Sequence, residues 1–255
     1  MRVKHVAKQV LIRGCGPEKQ HAIRRAYSLY QITHNRYYRE PEMAVISSLV
    51  SNGDVVFDIG ANVGVYTYEL SRAVGTSGRV HSFEPFAENY DILTALIRKA
   101  RLSNVSAHRV AIGATVSECE ILIPDMGDFT GYYWAHIRKP GEVGRTESVK
   151  VGTLDDLCRT RMIGRPDFIK CDVEGAELPV ILGSQETIRS HRPGWLIEVS
   201  RETSGQVFKV FRDFGYRTFV LEKRFRETDT YLDKEFSNYV FLHPQSRGWQ
   251  AVQQQ

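Results

Sequence analysis

The sequence predicts an α/β fold: a seven-stranded, mostly parallel sheet with helices on both faces, preceded by an N-terminal helical extension. Three observations predict it. The apolar run Val55-Val56-Phe57-Asp58-Ile59 feeds directly into Gly60-Ala61-Asn62-Val63-Gly64, a strand followed by a glycine-punctuated turn. A second apolar run, Val80 to Phe83, ends in Glu84. Strand-like and helix-like segments then alternate along the chain, the rhythm of a parallel sheet covered on both faces.

Taken in order, residues 17–51 read as helical cover. Pro17 and Pro41 each stand where a helix can begin, because a first-turn proline forfeits no helical hydrogen bond. Strand-like runs follow at 54–59, 79–84, 105–110, 167–172, 194–199, 216–221 and 238–242. Helical stretches near 64–74, 86–101, 177–189 and 203–213 separate most of them. Right-handed crossovers place the loops after the first, second and fourth runs along one sheet edge, where open α/β sheets bind ligands.

Residues 111–166 are too many for a simple crossover. Glu118–Ile123 and Ser148–Val151 predict a pair of extra strands. Between them, residues 127–144 carry Phe129, Tyr132, Tyr133, Trp134, His136 and four glycines. Long loops in compact domains tend to be functional, so this one is read as a substrate lid, with Trp134 and His136 as substrate contacts. The structural alternative is an exposed hairpin that packs Trp134 back onto the sheet. The chain thus divides into an extension (1–52), a catalytic domain (53–243, with the 111–166 insertion) and a C-terminal tail (244–255), of which Gln253–Gln255 are expected to fray.

At 255 residues, 42 % apolar and 25 % charged, the chain has the length and balance of one folded domain rather than a disordered or fibrous protein. No run of 18 apolar residues predicts a spanning helix. Met1–His5 leads into no apolar stretch with a small-residue cleavage site, so no secretory leader is expected. Cys15, Cys119, Cys158 and Cys171 are widely spaced and form no C-x-x-C pair, which predicts reduced thiols in a cytoplasmic protein, not a zinc site or a disulfide framework. The net charge of +4 is uneven. Residues 1–40 hold nine Lys or Arg against Glu18 and Glu40, an excess of +7, leaving the rest of the chain at −3. Such an arm can grip nucleic acid, an anionic surface or an acidic substrate, or form a solvated helical face. No aromatic residue precedes Tyr27, so a base-stacking surface has little support and nucleic acid is the weaker partner. Oligomeric state has no signature.

The turn at Gly60 departs from the dinucleotide fingerprint. Asn62 replaces the middle glycine of G-x-G-x-x-G and Val65 stands where the third would be. The middle glycine exists to let backbone approach a pyrophosphate. Its absence, with the acid Asp58 just before the turn, suits a ligand with a ribose and a positive charge but no phosphates. S-adenosylmethionine meets that description.

Asp58-Ile59-Gly60-Ala61-Asn62-Val63-Gly64, Phe83-Glu84-Pro85, Thr153-Leu154-Asp155 and Ile169-Lys170-Cys171-Asp172-Val173-Glu174-Gly175-Ala176-Glu177 together resemble the motif set of the FkbM-type S-adenosylmethionine-dependent methyltransferases, over roughly residues 40–243. Cys171 is a small departure, where the family more often has an aliphatic residue. The resemblance implies a Rossmann-like class I methyltransferase fold and a cofactor site. Gly60, Ala61, Asn62 and Gly64 would wrap the methionine half at a helix N-terminus. Asp58 would meet the ammonium directly or through water, Glu84 the ribose hydroxyls, and Ala111 would border adenine. A turn-capping Asp58 and a strand-end surface acid at Glu84 are the structural alternatives.

Asp172, Glu174 and Glu177 crowd the end of the fourth run and the next helix's first turn, and like charges so placed need a positive neighbour. The cofactor sulfonium, a substrate ammonium, Lys170 or a divalent cation could supply it. Glu198-Val199-Ser200 stands after the fifth run where an aspartate-asparagine pair would favour a metal, so none is expected. Methylating a hydroxyl needs a base, and Asp172 and Glu174 are the first candidates, with His136 and His243 behind them. Glu177 is read as a substrate contact, although an acid in a helix's first turn also has a dipole rationale. The resemblance implies an oxygen acceptor on a sugar, glycan or secondary metabolite. The N-P-P-Y tetrapeptide that grips a planar amino group is absent. The alternatives are a nucleic-acid methyltransferase using the basic arm and a non-catalytic scaffold.

Overall fold

The computed structural model describes residues 16–124, 135–160, 163–232 and 238–253. Among them an eight-stranded sheet runs in the order β11-β10-β12-β9-β8-β1-β2-β3. Its strands are β1 (Val55–Ile59), β2 (Arg79–Phe83), β3 (Val105–His108), β8 (Phe168–Cys171), β9 (Gly194–Glu198), β10 (Arg217–Leu221), β11 (Phe225–Glu227) and β12 (Asn238–Leu242). β3, β2, β1, β8 and β9 pair in parallel, and β12, β10 and β11 complete the sheet in antiparallel fashion. All seven predicted runs are strands of this sheet, and β11 is the addition.

Alternation along β1 sets the two faces. Phe57 and Ile59 join the cluster of Ile169, Cys171, Trp195 and Ile197, while Val56 joins Val80, Phe168 and Leu196 on the other side. Helices α2 (Ile46–Leu49), α3 (Val65–Val74), α5 (Leu154–Arg159), α6 (Glu177–Leu182), α7 (Gln185–His191) and α8 (Arg201–Asp213) contribute residues to these two layers. Trp195, Phe57 and Phe168 are at most 1 % exposed, each burial contributing about 1.5–3 kcal/mol or more, so the strand ends stand on a firm platform.

Two boundaries differ from expectation. The helix expected over 177–189 breaks at Gly183, where a Cβ would lie 2.0 Å from the Gly113 carbonyl oxygen, so backbone packing interrupts it. The third strand ends at His108, because Ala111–Ile112 (β4) leaves for a second sheet, β4-β7-β5-β6. There β5 (Ser117–Ile123) and β7 (Arg145–Gly152) are the expected pair of extra strands, antiparallel to each other and edged by β6 (His136–Ile137).

The N-terminal extension lies on this domain. Helix α1 (Pro17–Thr33) begins at Pro17 and a 3-10 turn at Pro41, as the prolines predict. Ile32 packs with Val63, Ile92 and Leu96, the last two from α4 (Ala87–Ala100). Residues 249–253 of the tail form a helix, with Trp249 against Phe219. Cys119, Cys158 and Cys171 are free thiols, and no described helix is long and apolar enough to cross a membrane.

Candidate active site

The carboxyl ends of β1, β2 and β8 bring the three motifs together. Gly60 and Asn62 both have positive φ, 80° and 50°, and their turn curls toward β2 and β8. The Asn62 N–H donates to Glu84 Oε2 (2.8 Å) and the Phe86 N–H to Oε1 (2.9 Å). Burial pushes the Glu84 carboxyl up to about 7, against the pull of those donors, the Asn89 side chain and the nearby Arg24. Arg24, 2 % exposed, reaches from α1 and donates to Asn89 Oδ1, so the extension is wired into this corner. These donors meet three of the carboxylate's four lone-pair sites, which leaves one for a hydroxyl donor.

Lys170 lies at the floor, 3 % exposed, with Nζ 2.7 Å from Asp172 Oδ2 and 4.5 Å from the centre of the Tyr66 ring. Burial alone would favour neutral Lys170 and neutral Asp172. Their attraction outweighs it, holding the ammonium above and the carboxyl below its ordinary value. Next to them, Cys171 pairs with Ile197 in register, which sets Glu198 beside Asp172. Burial and the Asp172 carboxylate push Glu198 up to about 8, and it hydrogen-bonds Asp172. Glu174, in a left-handed conformation (φ 52°), is pushed up to about 7 by burial, Asp172 and Glu177. Oxygens of Asp172, Glu174 and Glu198 lie within 4.8 Å of one another.

Two clefts meet here. The first, about 770 Å3 including its open mouth, is lined by Gly60, Asn62, Glu84, Ala111, His136, Asp172 and Glu174. The second, about 990 Å3, lies between the extension and the Gly60–Val63 turn, with Lys170 and Asp172 in its wall. Gly60, Asn62 and Asp172 border both.

Most of the expected site residues converge, and some take other places. Ala61 faces the second cleft only. Gly64 lines neither; a Cβ there would lie 2.8 Å from Leu93 and Leu96, so it lets α3 start against α4. Asp58 is fully buried beneath the turn, takes the Thr67 hydroxyl at 2.6 Å and lines neither cleft, so direct contact with a ligand ammonium is not the geometry found. Glu177 is 2 % exposed, and its Oε1 accepts the Val173 and Gly175 N–H groups at 3.2 and 3.1 Å. It shapes the acidic loop, which corrects the expected substrate contact. His136 Nε2 lies 3.1 Å from Glu142, and residues 135–137 line the cleft that holds Glu84, not a separate acceptor site. Trp134, with Phe129, Tyr132 and Tyr133, lies outside the described residues. His243 lines neither cleft; its Nδ1 accepts the Gln245 N–H. Asp155 caps α7 by accepting the Glu186 and Thr187 N–H groups. Glu198, Arg24 and the tyrosines of the second cleft are what sequence reasoning missed. Strand order alone exposes Glu198, and the docking of α1 the others.

Residues 58–218, more than half of the chain, match the family model described as the methyltransferase FkbM domain. Methyltransferase sdnD of Sordaria araneosa is 27 % identical over 169 residues, covering 55 % of this chain and 64 % of the relative. The solved structure of methyltransferase FkbM from Methylobacillus flagellatus KT superposes with a TM-score of 0.51 at 19 % identity, covering 77 % of this chain and 48 % of that one, a likeness of fold. The chain therefore spans less than two thirds of the length of either. The matched span holds the turn, Glu84, the acidic loop and Glu198, and the chain belongs to the FkbM methyltransferase domain family.

Proposed function

We propose that this protein transfers the methyl group of S-adenosylmethionine to a hydroxyl oxygen of a sugar, glycan or secondary metabolite. The observation that carries this reading is the meeting of two clefts at Gly60, Asn62 and Asp172. In the first, Glu84 takes a ribose hydroxyl through its remaining lone pair, and the small Ala111 leaves room for a flat adenine. The Gly60–Asn62 turn receives the methionine half, and Asp172, kept ionised by Lys170, faces the sulfonium. The cofactor supplies an activated methyl; the chain's own residues supply alignment, charge and proton removal.

An acceptor hydroxyl at the junction must lose its proton as the new bond forms. Glu174 suits that task, because a base works best when its pKa lies near the working pH, and Glu174 sits at about 7. Asp172 is the stronger acid and fits the role of a fixed negative charge. Two of the acid cluster's three members carry raised pKa values, so shared protons relieve the repulsion without requiring a cation. Of the extension's five described Lys and Arg residues, Arg24 is buried and Arg25 and Arg39 pair with Asp91 and Glu69, which leaves Lys19 and Arg36 as a small grip for nucleic acid.

The test is mass spectrometry of hydroxylated glycan and metabolite pools incubated with the protein and methyl-labelled S-adenosylmethionine. A labelled methyl ether is expected. Labelled amines alone would overturn the oxygen assignment, and labelled nucleic acid would restore the rival.

A further inference from the structure

The N-terminal extension falls outside the span matched by the family model, yet it builds one wall of the second cleft. Tyr27, Ser28 and Gln31 come from one face of α1, and Tyr37, Tyr38 and Glu40 from the segment behind it. Tyr66, Lys170 and Asp172 line the cleft from the domain side. Tyr38 is 81 % exposed, far more than a tyrosine serving only the core. Ser28 is the reverse: 4 % exposed, cleft-lining, and with a hydroxyl that has no partner among the described residues. Asn62 Oδ1, at the junction, is likewise buried and without a partner among them. A buried polar atom left unpaired costs about 1–3 kcal/mol, so two of them along one cleft point to a ligand that satisfies them.

The lining also restricts what that ligand is. Glu40 accepts from Tyr66 and Asn238 through Oε2, and Gln31 spends its amide N–H groups on Tyr27 and Arg36, so carbonyl or carboxylate oxygens remain to accept. With Asn62 Oδ1, these call for several donor groups. An anion would face Glu40 and Asp172. A cation would find the Tyr66 ring already covered by the Lys170 ammonium. A plain aromatic ring would leave the acceptors unpaired. A neutral ring with several hydroxyls meets both the tyrosine faces and the oxygens.

We propose that this cleft is the acceptor pocket and that it binds a neutral glycosyl ring, presenting one hydroxyl at the Asp172 junction. The proposal rests on the methyltransferase reading and assigns its acceptor site to the extension.

The test is saturation-transfer NMR on the full chain loaded with S-adenosylhomocysteine, using a panel of methyl glycosides with choline as the cationic control. At least one glycoside should bind. Tyr38→Ala and Tyr27→Ala should each weaken it about tenfold while S-adenosylhomocysteine affinity stays within about twofold, as expected when one aromatic contact is lost. No glycoside binding to the loaded protein, binding of choline alone, or glycoside affinity unchanged in both variants would overturn the assignment and leave the methyltransferase reading standing. Failure of S-adenosylhomocysteine to bind would defeat that reading, and the acceptor pocket with it.

Discussion

Gly60 stands against the carbonyl of Asp172. A methyl group built on Gly60 would lie 1.7 Å from that oxygen, and the residue's φ is 80°. The turn after β1 and the acidic loop after β8 thus touch through backbone, and the glycine serves their close approach as much as the turn itself.

Gly60→Ala should therefore cost more than about 1–2 kcal/mol, the handedness penalty alone, because neither backbone can yield without moving its motif. Urea unfolding together with S-adenosylhomocysteine calorimetry checks this. A variant of parental stability and affinity would show that the two loops can part freely.

Lys170→Met removes the partner that keeps Asp172 ionised. Breaking such a pair by one partner costs about 3–5 kcal/mol when fully buried, and less here because the Asp172 side chain is 28 % exposed. The sign follows from the shift. Asp172 is held below the ordinary aspartate value of 3.8, so its stabilising contribution is full above that pH and is lost as pH falls through the lowered folded value. The parent should lose stability on acidification in that window, and Lys170→Met should lose less there. Parallel acid-unfolding curves for the two proteins would contradict the pairing.

Glu174 must be deprotonated to act as a base. With its carboxyl at about 7, kcat/KM should rise with pH through that value and level off above it. Glu174→Gln should lose roughly 10²–10⁴ in turnover, flatten the rising limb and leave cofactor affinity nearly unchanged. Chelator should not inhibit the parent. Full activity in Glu174→Gln would remove the residue from the chemistry, and reversible chelator inhibition shared with loss in Glu198→Gln would replace the proton-sharing cluster with a cation site.

Replacing residues 127–144 with a short Gly-Ser link should weaken S-adenosylhomocysteine as well as abolish turnover, because residues 135–137 line the cleft with Glu84. Turnover lost at unchanged cofactor affinity would return the segment to an acceptor lid.

What the sequence made legible is local. An apolar run, an acid and a glycine turn are neighbours in the chain, so β1, its turn and the acid after β2 could be placed from spacing. Glu198 could not, because its partnership with Asp172 depends on β9 lying beside β8 in register. Arg24 and the tyrosine-walled cleft depend on how α1 docks, which Ile32 decides by packing against Val63, Ile92 and Leu96. Glu177 misled because a carboxylate in a cluster reads as chemistry, while its partners, the Val173 and Gly175 N–H groups, carry no side-chain signature. The first-turn position of Glu177 was the available hint.

The most direct measurement is calorimetric titration of the purified full chain with S-adenosylhomocysteine and, separately, with NAD. The proposed function rests on Asn62 in place of the middle glycine, with its N–H donated to Glu84, a turn that would suit a ribose-bearing cofactor without a pyrophosphate. S-adenosylhomocysteine should bind and NAD should not, and Glu84→Ala should weaken the former by about 1–3 kcal/mol. NAD binding more tightly than S-adenosylhomocysteine would contradict the assignment of the site.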